Sequence, residues 1–196
     1  MKEVIVLFED ARHEITKMFM PHDFVLKLVR EDYQDRMDEF DETSSYYEMI
    51  KRTTAVPKKG VDKLLNSLDQ DLHLLRKRGI VLCVIDEDQI RSKLGLDDRS
   101  CRKVVTNRIQ EIASGGVHDV VLLDGNLEQL QSVVVEVLNL EASLRKKSTT
   151  NRDVVFQEAI RASRDQKTEI RNRYPDLQRL VSSYMSAIDM LVETVD

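Results

Sequence analysis

Three short, uninterrupted apolar runs, each closing on acidic residues and separated by helix-patterned chain, confine this sequence to one broad architecture. They occupy residues 4–8, 80–85 and 120–123, the last within a strand read over 118–123, and the acids that follow are Glu9 and Asp10, then Asp86, Glu87 and Asp88, then Asp124 and, four residues on, Glu128. Runs of this length, rich in β-branched residues and without polar alternation, read as strands buried on both faces. Between the first two, Val61, Leu64, Leu65, Leu68, Leu72 and Leu75 recur at helical spacing and predict one helix stopping at Gly79. A short helical stretch to Leu94 follows the second run. Asp97 or Asp98 can cap the next helix, which carries Val105, Ile109 and Ile112 and closes at Gly115 and Gly116. Asn126 opens a further helix through Leu127, Leu130, Val133, Val134, Val137 and Leu138. Strand and helix alternating in this way predict an α/β fold: a mostly parallel central sheet flanked by helices in three layers.

Elsewhere the pattern is less regular. A helix opening after Glu9 should stop near Pro21, and residues 24–29 fit either a strand or a helix. Residues 31–48 hold eight acids against Arg36 alone and read as an exposed, partly loop-like insertion. From Glu141 the chain becomes a glycine-free helical extension. There Leu177, Leu180, Val181, Tyr184, Ile188, Leu191, Val192 and Val195 form an apolar stripe that must be covered, by the domain itself or by a dimer or larger protein partner. The expected division is an α/β domain over residues 1–140 and a helical extension over 141–196.

No apolar stretch approaches the roughly 20 residues of a membrane span, and the acidic start lacks the pattern of a secretory signal, so a cytoplasmic protein is expected. Two cysteines provide no disulfide framework. Cys83 reads as a buried hydrophobe, and Cys101, on a polar helix start, has no assigned role. The net charge of −5 argues against a bulk electrostatic grip on nucleic acid and leaves local patches as the alternative.

In an open parallel sheet, ligands bind in the crevice outside the carboxyl ends of the strands, where the acids listed above fall. If residues 86–88 are extended, the side chains of Asp86 and Asp88 point the same way and can face one ion. A hard divalent cation, Mg²⁺ or Mn²⁺, is the expected reason for such clustering, since carboxylates gathered without one repel each other. Asp86 and Asp88 are the first candidate ligands and Glu9 the next. Taken singly, each acid also fits a helix cap or a turn. Residues 141–179 carry ten basic side chains against six acids, Arg145, Lys146 and Lys147 among them, and this excess can guide a phosphate backbone or form a solvated helix face. Lys58 and Lys59, before a helix, can likewise touch phosphate or simply make a turn. The histidines form no zinc pattern, and His13 lies nearest the acids.

Glu9 after the first strand, Asp86-Glu87-Asp88 after a later one and Asn126-Leu127-Glu128 after the next resemble the Toprim domains of topoisomerases, primases and related nucleases, including Toprim-like domains of bacterial defence and mobile-element proteins. The resemblance covers residues 1–140. It implies a Mg²⁺-dependent nuclease acting on nucleic acid, DNA in preference to RNA, in a role such as defence against mobile elements. By that resemblance Glu9 assists proton transfer or holds a metal, Asp86 and Asp88 bind Mg²⁺ and Glu128 completes the site. Asp10 stands where many Toprim domains have glycine. Two other readings remain. Residues 84–88 and 120–124 are similar to the acidic pocket and phosphoaccepting aspartate of receiver domains, with Asp124 as acceptor. A non-catalytic α/β interaction subunit, docking through residues 31–48 and the C-terminal stripe, is the third.

Overall fold

The computed structural model describes residues 2–10, 18–97, 99–124 and 126–194, apart from the side chains of residues 88 and 89. After strand β1 (Glu3–Phe8) come helices α1 (Met20–Arg36) and α2 (Ser45–Lys51), strand β2 (Thr53–Pro57) and helices α3 (Val61–Gln70) and α4 (Leu72–Arg78). Strand β3 (Gly79–Asp86), helices α5 (Glu87–Lys93) and α6 (Arg102–Ile112), strand β4 (Asp119–Leu123) and helix α7 (Asn126–Val137) follow. A 3₁₀ turn (Ala142–Arg145) leads to α8 (Thr149–Arg161), α9 (Arg164–Arg173) and α10 (Pro175–Glu193). The strands form one all-parallel sheet in the order β2-β1-β3-β4.

Alternation along each strand feeds two cores. Val4, Val6 and Phe8 of β1, with Leu82 and Val84 of β3, meet α1, α7, α8 and α10 on one face. Ile5 and Leu7, with Val81, Cys83 and Ile85, meet α3, α4 and α6 on the other. Burial on both sides explains the unbroken apolar runs. The C-terminal stripe, Leu177 to Val192, is buried within the chain against the sheet face, while Val195 lies outside the described residues. Gly79 pairs with Glu3, and a Cβ built on it would stand 1.7 Å from the Glu3 carbonyl oxygen. Only glycine lets α4 turn straight into β3 at this register.

Several expectations are corrected. Pro21 starts a helix instead of stopping one: it occupies the first turn of α1, where a missing N–H costs nothing. The preceding stretch, with His13, lies outside the described residues. Residues 24–29 are helical, and α1 runs on to Arg36 with Tyr33 buried, so the first part of the acidic segment is packed helix. The 61–78 segment is two helices divided at Asp71. Asp97 does not cap α6; its carboxylate accepts from the Arg99 amide, and Cys101 precedes the helix without a side-chain cap. Asp98 lies outside the described residues. Strand β2 gave no apolar run to read, because it is a half-buried edge strand ending on proline.

Candidate functional site

The chain leaves β1 toward β2 on one side and returns to β3 on the other, so the carboxyl ends of β1 and β3 flank a topological switch point where a crevice opens. Backbone bonds fix the exit from β1. The Glu9 amide donates to the Val84 carbonyl at 3.2 Å. Across from it, the amides of Lys58, Lys59 and Gly60 donate to the carbonyls of Phe8, Asp10 and Glu9 at 2.7, 3.0 and 2.6 Å. This clamp requires left-handed backbone at Lys59 (φ 63°) and Gly60 (φ 117°), the second of which glycine adopts most readily.

A cavity of about 410 Å³ sits on this rim. Its charged lining is Glu9, Asp10, Asp86 and Glu128 against Lys59, Lys147 and Arg152. Gly60 before α3, Asn126 and Leu127 of α7, Gln131, and Ser148 and Thr149 at the start of α8 complete it. Glu9 reaches across the strand ends, its carboxylate accepting the Asp86 amide at 3.1 Å. The Asn126 side chain caps α7 by accepting the Glu128 amide at 2.9 Å, which sets Glu128 in the first helical turn. Ser148 caps α8 through the Asn151 amide at 3.0 Å and so orients the turn bearing Lys147.

Electrostatics tie these groups together. Lys147 Nζ lies 2.6 Å from Glu128 Oε1. The Glu128 hydrogen bond, and beyond it the Asp10 and Asp86 charges, hold Lys147 above the ordinary lysine value. Arg152, almost fully buried, stacks over Phe19 at 4.9 Å and reaches Asp10 at 3.4 Å. Burial pushes the Asp10 carboxyl up to about 6 against the pull of Arg152; Glu128 adds to the rise and Lys147 opposes it.

Of the residues singled out by sequence, Glu9, Asp86, Glu128, Lys59 and Lys147 share this cavity. Lys58, Arg145 and Lys146 do not line it: Arg145 pairs with Glu136 at 3.4 Å, and Lys146 is exposed. The backbone of Asp88 belongs to α5 and its side chain lies outside the described residues. The strand periodicity invoked for Asp86 and Asp88 is corrected, because β3 ends at Asp86 and helix begins at Glu87. Asp124 is exposed and lines a neighbouring cleft of about 480 Å³ with Glu87, Arg102, Tyr174 and Asp176. There Arg102 bridges Glu87 at 2.6 Å and Asp176 at 2.7 Å, while the Asp124 amide donates to Asp176 at 2.7 Å. Burial pushes Asp176 up, but the Arg102 and Asp124 hydrogen bonds together hold it below the ordinary carboxylate value.

Asp10 falls at the ligand edge as its place after β1 implies, but its pairing with a buried Arg152 is not legible in the sequence. The two are 142 positions apart, and nothing in the sequence around Arg152 marks it as buried. The cavity's hard oxygen donors suit Mg²⁺ or Mn²⁺ in kind. Among the described residues, however, no three His, Cys, Asp or Glu side chains are arranged to hold a metal ion. Glu9 and Glu128 instead engage the Asp86 amide and the Lys147 ammonium. Among the described residues no helix is long and apolar enough to cross a membrane. Comparison with family models, curated proteins and solved structures finds no match.

Proposed function

We propose that this chain is a Toprim-like, divalent-cation-dependent phosphodiester hydrolase acting on nucleic acid in the cytoplasm, with DNA as the preferred substrate. One observation carries the reading: Glu9 and Asp86 from the ends of β1 and β3, and Glu128 from the first turn of α7, line one cavity at the switch point of a parallel sheet. To hold Mg²⁺ or Mn²⁺, the Glu9 and Glu128 carboxylates would first have to turn from the Asp86 amide and the Lys147 ammonium toward Asp86. Such an ion would supply Lewis-acid polarisation of a phosphoryl oxygen and stabilise charge on the leaving oxygen.

The chain's own residues provide the rest. With all groups ionised, four carboxylates face three cations, leaving one net negative charge. A bound divalent ion turns that into one positive charge, which matches the single negative charge of a phosphodiester. Lys59 and Lys147 stand on the cavity wall where they meet phosphate oxygens. The Asp10 carboxyl, pushed up to about 6 by burial, is a stronger base than an ordinary carboxylate and would accept a proton from an attacking water.

Purified protein incubated with single-stranded, duplex and supercoiled DNA, and with RNA, in Mg²⁺ or Mn²⁺ tests the proposal. Cleavage is expected, reduced at least about a hundredfold in Glu9→Gln and Asp86→Asn. Absence of cleavage on every substrate, or cleavage that survives both substitutions, overturns it.

A further inference from the structure

We propose that the cavity between α1, α2 and the edge strand β2 binds a small amphipathic monoanion, a carboxylate with an apolar body, and that Arg30 receives its head group. The site shares no lining residue with the cavity at the strand ends and does not depend on the hydrolase reading.

Size and lining come first. The cavity has a volume of about 700 Å³, within the range of about 300–1,000 Å³ that accommodates small molecules. Leu26 of α1, Ile50 of α2, Ile160 of α8 and Phe19 give it apolar walls. Met18, which lines it as well, is 45% exposed and leaves apolar surface in water for a ligand to cover.

The charges are unevenly arranged. Three cations, Lys27, Arg30 and Lys51, and one carboxylate, Asp23, line the cavity. Lys27 is paired with Glu31 at 3.2 Å and Lys51 with Glu48 at 3.1 Å. Arg30 differs: its guanidinium stacks over the Tyr47 ring at 4.7 Å, yet among the described residues it makes no hydrogen bond or ion pair. Stacking on a ring of the cavity wall holds the planar fork half-buried with its N–H donors uncommitted, ready to meet a carboxylate in bidentate fashion. Lys51 Nζ, 4.4 Å from the same ring, adds positive potential at this end. Asp23 lies two turns before Arg30 on α1, about 10 Å away along the helix. A second negative charge on the ligand would meet it, so the cavity selects one anionic head and an uncharged body.

Calorimetric titration of the full chain with decanoate tests this, beside 1-decanol, which has the same body and no charge, and acetate, which has the charge and no body. Decanoate should bind saturably at one site, with 1-decanol and acetate each at least about tenfold weaker. Arg30→Met, which keeps an apolar stem and loses the fork, should weaken decanoate at least about tenfold and leave 1-decanol within about twofold. Arg30→Lys, which retains the charge without the fork, should fall between the two. Lys63→Met, on the helix α3 that covers the opposite face of the sheet, should change neither ligand. Thermal unfolding followed by circular dichroism checks that the variants fold, and the wild-type comparison of decanoate with 1-decanol needs no variant. Absence of saturable decanoate binding, equal affinity for decanoate and 1-decanol, or undiminished decanoate binding in folded Arg30→Met overturns the site.

Discussion

Asp10 shows how one buried carboxyl can be made to report on its surroundings. An unfolded chain releases its proton near 3.8, whereas the folded chain holds it up to about 6. Folded protein therefore binds more protons than unfolded protein between these values, and the Asp10 contribution to stability falls as pH rises from about 4 to about 6. The melting temperature of wild type minus that of Asp10→Asn should decline across this window and flatten above about pH 7. A difference that stays constant from pH 4 to 7 would mean that Asp10 ionises as it does in an open chain. At this scale, legibility followed position. Glu9 and Asp86 were readable because a buried strand must end in something, and acids there point to the ligand edge of a parallel sheet. Arg152 was not, because its burial depends on Phe19 and Asp10 arriving from the other end of the chain.

Between elements, the acid-rich and base-rich segments answer each other. Glu31, Asp32 and Asp35 on α1 pair with Lys167, Arg171 and Arg164 on α9 at 2.8 Å each. Each segment alone resembles a docking or phosphate-tracking surface, and only the folded chain shows these members facing one another. The three pairs differ in accessibility. The Lys167 and Glu31 side chains are 6% and 12% exposed, against 63% and 60% for Arg164 and Asp35. Lys167→Ala, which strips a buried carboxylate of a close partner, should cost about 3 kcal/mol, moderated by Lys27 at 3.2 Å on the same Glu31 oxygen. Arg164→Ala should cost less than about 0.5 kcal/mol. Urea denaturation of both variants reads the contrast, and equal losses would contradict the burial of the α1–α9 seam. Helix breaks were less legible than helix faces. The leucine spacing from Leu64 to Leu75 persists across the division at Asp71, because both helices bury their leucines on the same side of the sheet.

For the molecule as a whole, the parallel sheet and its helical cover were legible because strands buried on both sides advertise themselves as apolar runs. The edge strand β2 was not, having one open side and a terminal proline. The second helical layer is shared by early and late chain: Val6 and Phe8 of β1 and Phe24 of α1 lie in one core with Phe156, Leu180, Tyr184 and Ile188. His22 of α1 binds Tyr184 of α10 at 2.9 Å and the Thr53 carbonyl of β2 at 3.1 Å, joining three elements at one imidazole. A chain ending at residue 174 should therefore lose cooperative unfolding and bind a hydrophobic dye, while keeping much of its far-ultraviolet helical signal. A sharp, wild-type-like transition in that chain would show that α10 is dispensable. The position of α10 also has a consequence for biosynthesis. The last strand ends at Leu123 and α10 begins only at Pro175. At about 5–20 residues per second, a nascent chain carries this sheet face without the part of its cover that α10 supplies for roughly three to ten seconds. During that interval the polypeptide is a natural client for holdase chaperones, and its yield in the cell should depend on how fast that stretch is translated.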